Sequence, residues 1–172
     1  MIIRIHTIFI LSLITLFAYG QSDPKPCYCC TDNHRQFDFW LGEWEVKNNG
    51  KLAGKNSITL VQDSCLIREE WISAGNAYTG TSYNFYNEEK DQWQQLWVDN
   101  QGGYLELTGK FEKGEMVLKS DEMTNRQGEK YINRITWTPK PDGSVRQHWE
   151  TSKDQGIHWE TLFDGLYLKI KK

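Results

Sequence analysis

The residues of this chain whose types and spacing could do chemistry stand near its C-terminus. There His-Trp-Glu-Thr is written twice, ten residues apart, in the run HWETSKDQGIHWETL. Two imidazoles and two carboxylates (His148, His158, Glu150 and Glu160) are the donor set of a zinc site or an acid–base pair, if a fold brings them together. On a hairpin whose loop is residues 152–156, Thr151 faces Ile157, Glu150 faces His158, Trp149 faces Trp159 and His148 faces Glu160. That register puts the four ionisable groups on one face and both indoles on the other. Burying four ionisable groups without a metal is costly, whereas burying two indoles is strongly favourable. The expectation is that Trp149 and Trp159 face inward, with His and Glu left in water as cross-strand pairs. No metal site, cofactor or catalytic residue is expected there. A haem or metal carrier using His148 or His158 is the alternative.

A second candidate is the pair Glu69-Glu70 in CLIREEW. Neighbours on a strand point to opposite faces, so one of the two must point inward. Sharing a face with Trp71, Glu69 is expected to be that one, as a polar anchor or as a general acid or base. A buried carboxylate held by an arginine such as Arg134 is the competing reading. No nucleophile elbow, phosphate loop, dinucleotide fingerprint or His-x-x-x-His pair occurs.

The four cysteines, Cys27, Cys29, Cys30 and Cys65, all lie in the first part of the chain. An even count in an exported protein favours disulfides. Pairing Cys27 with Cys29, or Cys29 with Cys30, closes a very small ring, so Cys27–Cys30 with Cys29–Cys65 ranks first. The second bridge would close a loop worth on the order of 3–4 kcal/mol. A soft-metal site of Cys27, Cys29, Cys30 and His34 is the alternative, although Cys-x-Cys-Cys lacks the spacing of common zinc modules.

Export is read from the first twenty residues, MIIRIHTIFILSLITLFAYG. One basic residue, a run of about a dozen apolar residues and the triplet Ala18-Tyr19-Gly20 predict a secretory signal peptide cut before Gln21. The run is short of the ~20 residues a membrane span needs. Removing those 20 of 172 residues leaves 152, enough for one domain with a core. The net charge of −3 becomes about −4 when Arg4 is lost. Mild acidity without a basic stripe argues against nucleic acid as a partner, and no later segment could span a membrane. Residues 21–31 form a Cys-containing N-terminal segment, and residues 32–172 form the domain.

The elements that must position these groups are mostly strands. In TDNHRQFDFWLGEWEV, Thr31 or Asp32 can cap a helix, Phe37, Trp40 and Leu41 fall at i, i+3 and i+4, and Gly42 can end it. One helix of about ten residues is expected. Ten runs rich in Trp, Tyr, Ile, Val and Thr follow, at 44–47, 55–61, 66–73, 78–86, 93–98, 104–111, 116–120, 131–138, 145–151 and 157–163. Turn residues such as Asn49-Gly50, Lys113-Gly114 and Asp142-Gly143 separate them, and only 121–130 reads as a longer loop. Ten strands joined by hairpin-length turns must close or split, and up-and-down order favours closure. The fold expected is all-β: a single antiparallel up-and-down β-barrel of about ten strands with one short N-terminal helix closing an end. One face of the fifth run carries Trp93, Gln95, Trp97 and Asp99, and one face of the eighth carries Tyr131, Asn133, Ile135 and Trp137. Aromatics mixed with amides suit a cavity better than a dry core.

The short helix leading into Gly42-Glu43-Trp44 resembles the start of lipocalin and wider calycin barrels, where a Gly-x-Trp lays its indole across the barrel floor. The fuller string FDFWLGEWEV, with Cys65, Glu69-Glu70-Trp71, Gln94 to Asp99 and Phe163 to Tyr167, is similar to a family of exported bacterial proteins of unassigned activity. The Thr-Asp-Tyr motif of typical lipocalins is missing, and nitrobindin-like haem barrels are matched only at Gly42 and Trp44. The resemblance implies the fold and a ligand-binding habit. It also implies an arginine, Arg134 or Arg146, packed over the Trp44 indole.

Together these features predict a secreted or periplasmic barrel that binds a small, partly apolar ligand. Trp71, Trp97, Trp137 and Trp149 would stack on it, and Gln95, Asn84, Asn133 and Glu69 would orient it. The alternatives are an enzyme of isomerase or cyclase type using the same cavity, and an envelope protein–protein interaction module.

Overall fold

A computed structural model describes residues 26–170. The expected signal peptide and most of the segment before the cysteines lie outside the described residues. The first elements are a four-residue helix α1 (Asp32–Arg35), a 3-10 turn (Asp38–Trp40), and strands β1 (Gly42–Asn48), β2 (Lys51–Val61), β3 (Leu66–Ser73), β4 (Thr79–Asn87) and β5 (Gln92–Asp99). After them come β6 (Tyr104–Glu112), β7 (Glu115–Lys119), the two-residue β8 (Met123–Thr124), β9 (Lys130–Pro139), β10 (Val145–Ser152) and β11 (Glu160–Lys169).

Every strand pairing is antiparallel, and the ring β1 to β7, β9, β10, β11 closes back on β1. The fold is therefore a closed ten-strand barrel, with β8 added beside β9 inside the loop expected at 121–130. Local chemistry sets the connections. Asn49-Gly50 and Lys113-Gly114 each supply two consecutive residues at positive φ, the conformation that joins two twisted strands in a two-residue hairpin.

The helix is shorter than its apolar spacing suggested. Thr31 makes no hydrogen bond to a helical N–H; its hydroxyl is 2.7 Å from His34 Nδ1 instead. Phe37 leaves helical geometry at φ −105°, ψ 5°. The 3-10 turn that follows eclipses residues three apart, and the Phe37 and Trp40 rings stack at 4.9 Å. This pair plugs one end of the barrel. Phe37 meets Trp93 and Trp137 edge-on at 5.6 and 5.2 Å. The Trp44 indole donates to the Trp40 carbonyl at 2.8 Å. All five rings are essentially solvent-free, so the Gly-x-Trp indole does lie on the barrel floor. The cation over it, however, is Lys169 at 5.4 Å. Arg134 instead covers Trp159 at 4.0 Å, and Arg146 forms a two-pronged ion pair with Asp164.

The C-terminal hairpin corrects the expected register. Thr151 pairs with Glu160, Trp149 with Phe163 and His148 with Asp164. The connection is longer because side chains of the loop compete with the ladder for its N–H groups. The His158 N–H donates to Asp154 Oδ1 and the Gly156 N–H to Ser152 Oγ, both at 2.8 Å. The His158 imidazole pairs with Asp154 Oδ2 at 2.5 Å. The last strand also runs six residues past the expected end at 163. The reason is that β1 needs a partner: Trp44 to Asn48 pair with Lys169 to Gly165.

All four cysteines are bridged, as Cys27–Cys30 and Cys29–Cys65. The second bridge fastens the N-terminal segment to the β2–β3 turn, beside the plug, across 36 residues. Replacing Cys29 and Cys65 together by serine is expected to lower the unfolding free energy by about 4 kcal/mol. Urea denaturation of the variant and the wild-type protein checks this, and a loss below about 1 kcal/mol would mean that the bridge does not hold the plug.

Candidate functional site

Above the plug the barrel is not filled. A cavity of about 330 Å³ opens between the upper halves of the strands, at the small end of the ~300–1,000 Å³ range of ligand pockets. Its walls are aromatic and aliphatic: Trp71, Trp97, Trp149, Phe163, Tyr78, Leu105, Ile135 and Leu162. Its polar groups are Glu69, Gln95, Gln147, Ser73 and the Tyr167 hydroxyl end.

Strand alternation brings most of these groups to the inner face, Leu162 joins them from the bulge beside Phe163 and Tyr78 from just before β4, and glycines make room for three of the rings. The Trp97 ring fills the place where a Cβ on Gly80 would stand, the Trp71 ring does so at Gly54, and the Phe163 ring at Gly165. None of these three glycines is at positive φ; what they supply is close approach of ring to backbone. Two indoles are held further by their N–H groups, Trp71 to Ser73 Oγ and Trp149 to Asn133 Oδ1, both at 2.9 Å.

Glu69 lies at the cavity floor and is 4 % exposed. Asn56 Nδ2 donates to its Oε1 at 2.6 Å, and Ser82 Oγ donates to its Oε2 at 2.5 Å. These contacts belong to a polar belt crossing the interior. Asn56 also reaches the Tyr167 hydroxyl at 3.2 Å, which donates to Gln147 Oε1 at 2.8 Å. On the other side, Asn84 donates to Ser82 at 2.9 Å and accepts from Gln95 at 2.6 Å. The anchoring of Glu69 by Arg134 is thus corrected. Arg134 points out and pairs with Glu150 through Nε and a terminal nitrogen, at 3.0 and 2.8 Å.

Five of the expected residues line the cavity: Glu69, Trp71, Gln95, Trp97 and Trp149. Three do not, although all face inward. Asn84 is fully buried within the belt, and Asn133 sits behind the Trp149 indole. The Trp137 ring packs into the plug, 5.5 Å from Trp40. Parity places a side chain on the inner face but not at a height along it. Gln147 was legible by the same parity, two residues before Trp149. Phe163, at the end of the expected run, shares parity with Trp159 and was legible too; Tyr167 was not, because the last strand extends past its expected end.

The doubled tetrapeptide does not assemble. His148 and Glu150 lie on the outer wall, 3.6 Å apart, while His158 is exposed in the loop. Trp149 faces in as expected, but Trp159 does not; its N–H donates to the Gly156 carbonyl at 3.0 Å. No family model matches the chain, and no curated protein matches it.

Burial pushes the Glu69 carboxyl up to about 7 from an ordinary 4.5, against the opposing hydrogen bonds from Ser82 and Asn56. In the unfolded chain the proton leaves near 4.5. The stabilisation from holding it is therefore complete below that pH and is lost as pH rises through about 7. Between pH 5 and 8, the wild-type unfolding free energy should fall by on the order of 2–3 kcal/mol relative to Glu69→Gln. Urea denaturation of both proteins at the two pH values measures this; parallel behaviour would show that Glu69 ionises as freely in the fold as in water.

Proposed function

We propose that this protein is a secreted or periplasmic barrel of calycin type that binds a small, partly apolar ligand in its open half. One observation carries the reading: a cavity of about 330 Å³ walled by Trp71, Trp97 and Trp149 with a single carboxylate at its floor. A packed barrel would fill this space with Leu and Ile, as the lower half is filled with Trp, Phe and Met. Rings held by glycine seats and indole hydrogen bonds form a largely preformed surface, which lowers the ordering cost of binding. Export is supported by the leader-like first twenty residues and by the pairing of all four cysteines. Among the described residues no helix is long and apolar enough to cross a membrane.

A second reading, an isomerase-type enzyme, rests on Glu69, whose raised value near 7 suits a general acid or base at neutral pH. Loss of turnover in Glu69→Gln with ligand affinity retained would select it.

The neutral fluorophore N-phenyl-1-naphthylamine tests the binding reading. It should brighten and saturate with the wild-type protein. In Gly80→Ala the added Cβ drives the Trp97 ring off the wall into the cavity, so affinity should fall at least tenfold while the far-ultraviolet circular dichroism is kept. Native mass spectrometry of protein exported to a bacterial periplasm should show a released organic mass. An absence of probe binding together with an apo mass alone would refute the pocket.

A further inference from the structure

Resting on the binding reading, we propose that the ligand class is a primary organic ammonium whose apolar body lies among Trp71, Trp97 and Trp149 and whose charged nitrogen meets Glu69.

The first support is the charge of the cavity. Glu69 is buried and, among the described residues, has no cation beside it: β2 presents Asn56 to it, β4 presents Ser82 and Asn84, β5 presents Gln95, β10 presents Gln147 and β11 presents Tyr167. Of these only Tyr167 titrates, and burial drives its hydroxyl well above the ordinary range. Nearer the mouth stand Tyr78 and, hydrogen-bonded to it at 3.2 Å, Asp99. Burial pulls Asp99 up, but the Gly103 and Gln101 amides hold it below the ordinary carboxylate range. Among the described residues no Lys, Arg or His lines the cavity. An unpaired carboxylate in an apolar site is stabilised by an incoming cation and penalised further by an incoming anion.

The second support is the balance of donors and acceptors. Both Nδ2 hydrogens of Asn56 are committed, to Glu69 and Tyr167, while its buried Oδ1 has no donor. Each Glu69 oxygen accepts one hydrogen bond and retains capacity for another. The belt is short of donors, and a primary ammonium brings three with no acceptor. A carboxylate, carbonyl or ether ligand would add acceptors to a site that already has too many.

The third support is the wall. Indole faces attract a cation through the ring quadrupole, most strongly where water is excluded. Three indoles around one carboxylate are therefore complementary to an ammonium on a hydrocarbon body, and the cavity volume limits that body to a small one.

The test compares three near-isosteres by isothermal titration: 2-phenylethylammonium, propylbenzene and phenylacetate. At pH 8 the ammonium should bind wild-type protein at least tenfold more tightly than propylbenzene, and phenylacetate should bind more weakly than either. The preference should disappear in Glu69→Gln. An alkylammonium stays protonated below about pH 9, so any change between pH 8 and pH 6 reports the protein. Its affinity should fall about tenfold over that interval, as Glu69, near 7 in the free protein, takes up a proton. This pH profile needs no variant and stands even if Glu69→Gln fails to fold. Propylbenzene binding as tightly as the ammonium, or phenylacetate binding better, would overturn the ammonium and leave the barrel as a binder of neutral or anionic molecules. If none of the three binds while N-phenyl-1-naphthylamine does, the ammonium falls and the pocket stands; if that probe fails too, both fall.

Discussion

Ten antiparallel strands closed into a ring enclose more volume than the side chains of their inner faces readily fill. Eight strands already give an interior just wide enough for side chains to occupy, and diameter grows with strand number. The extra volume has to be filled or left open, and this protein does one at each end. Below, the chain sends Phe37 and Trp40 into the ring, where they meet Trp44, Trp93 and Trp137. Above, no segment of the described residues enters, and the cavity remains. The plug does not rest on helical propensity. A four-residue helix is far too short to be stable by itself, so its position comes from the aromatic stack, the Cys29–Cys65 bridge and a guanidinium contact from Arg35 to the Ser64 carbonyl at 2.5 Å.

Keeping the upper half open is itself a packing problem, because large aromatic side chains near the mouth would ordinarily lean into the space. Here three rings take the place of missing side chains on the wall, at Gly54, Gly80 and Gly165. A glycine inside a strand weakens it through lost contacts and greater chain entropy. The ring that covers it restores apolar burial at the same point. The arrangement couples neighbouring strands and leaves an aromatic lining with little freedom to collapse.

The sequence showed the architecture because strand signals repeat and turn chemistry is local. Asn49-Gly50 and Lys113-Gly114 mark hairpins without reference to anything distant, and the 66–73 run coincides with β3. The inner face of β5 was also legible, since alternation needs only one fixed residue. What failed were features set by distant partners. The register of the final hairpin depends on Asp154 and Ser152 capturing loop amides and on β1 needing a partner for closure. The run expected to end at 163 continues through Asp164-Gly165, which is mid-strand, with Asp164 paired to Arg146 and Gly165 yielding to Phe163. Height along the barrel was hidden for the same reason. Trp97 and Trp137 are alike in the sequence, but one lines the cavity and the other joins the plug, according to where the chain crosses beneath them.

The polar belt divides these two regions, and its composition bears on what the barrel is for. Part of the belt is built of amides and hydroxyls alone: Gln95 donates to Asn84, Asn84 to Ser82, and the Tyr167 hydroxyl to Gln147. Inserting a carboxylate among them without a cation destabilises the fold above neutral pH, as the raised Glu69 value expresses. Arg134 is close in sequence terms to the right strand, yet it faces outward and is spent on Glu150 and the Trp159 ring. A local cost that the Ser82 and Asn56 hydrogen bonds offset only in part, placed at the floor of a cavity, suits a group whose partner would arrive from solution. The same cost makes Glu69 responsive: near neutral pH, small changes in its surroundings shift its charge. The fold thus places an unfavourable electrostatic choice where a ligand would relieve it.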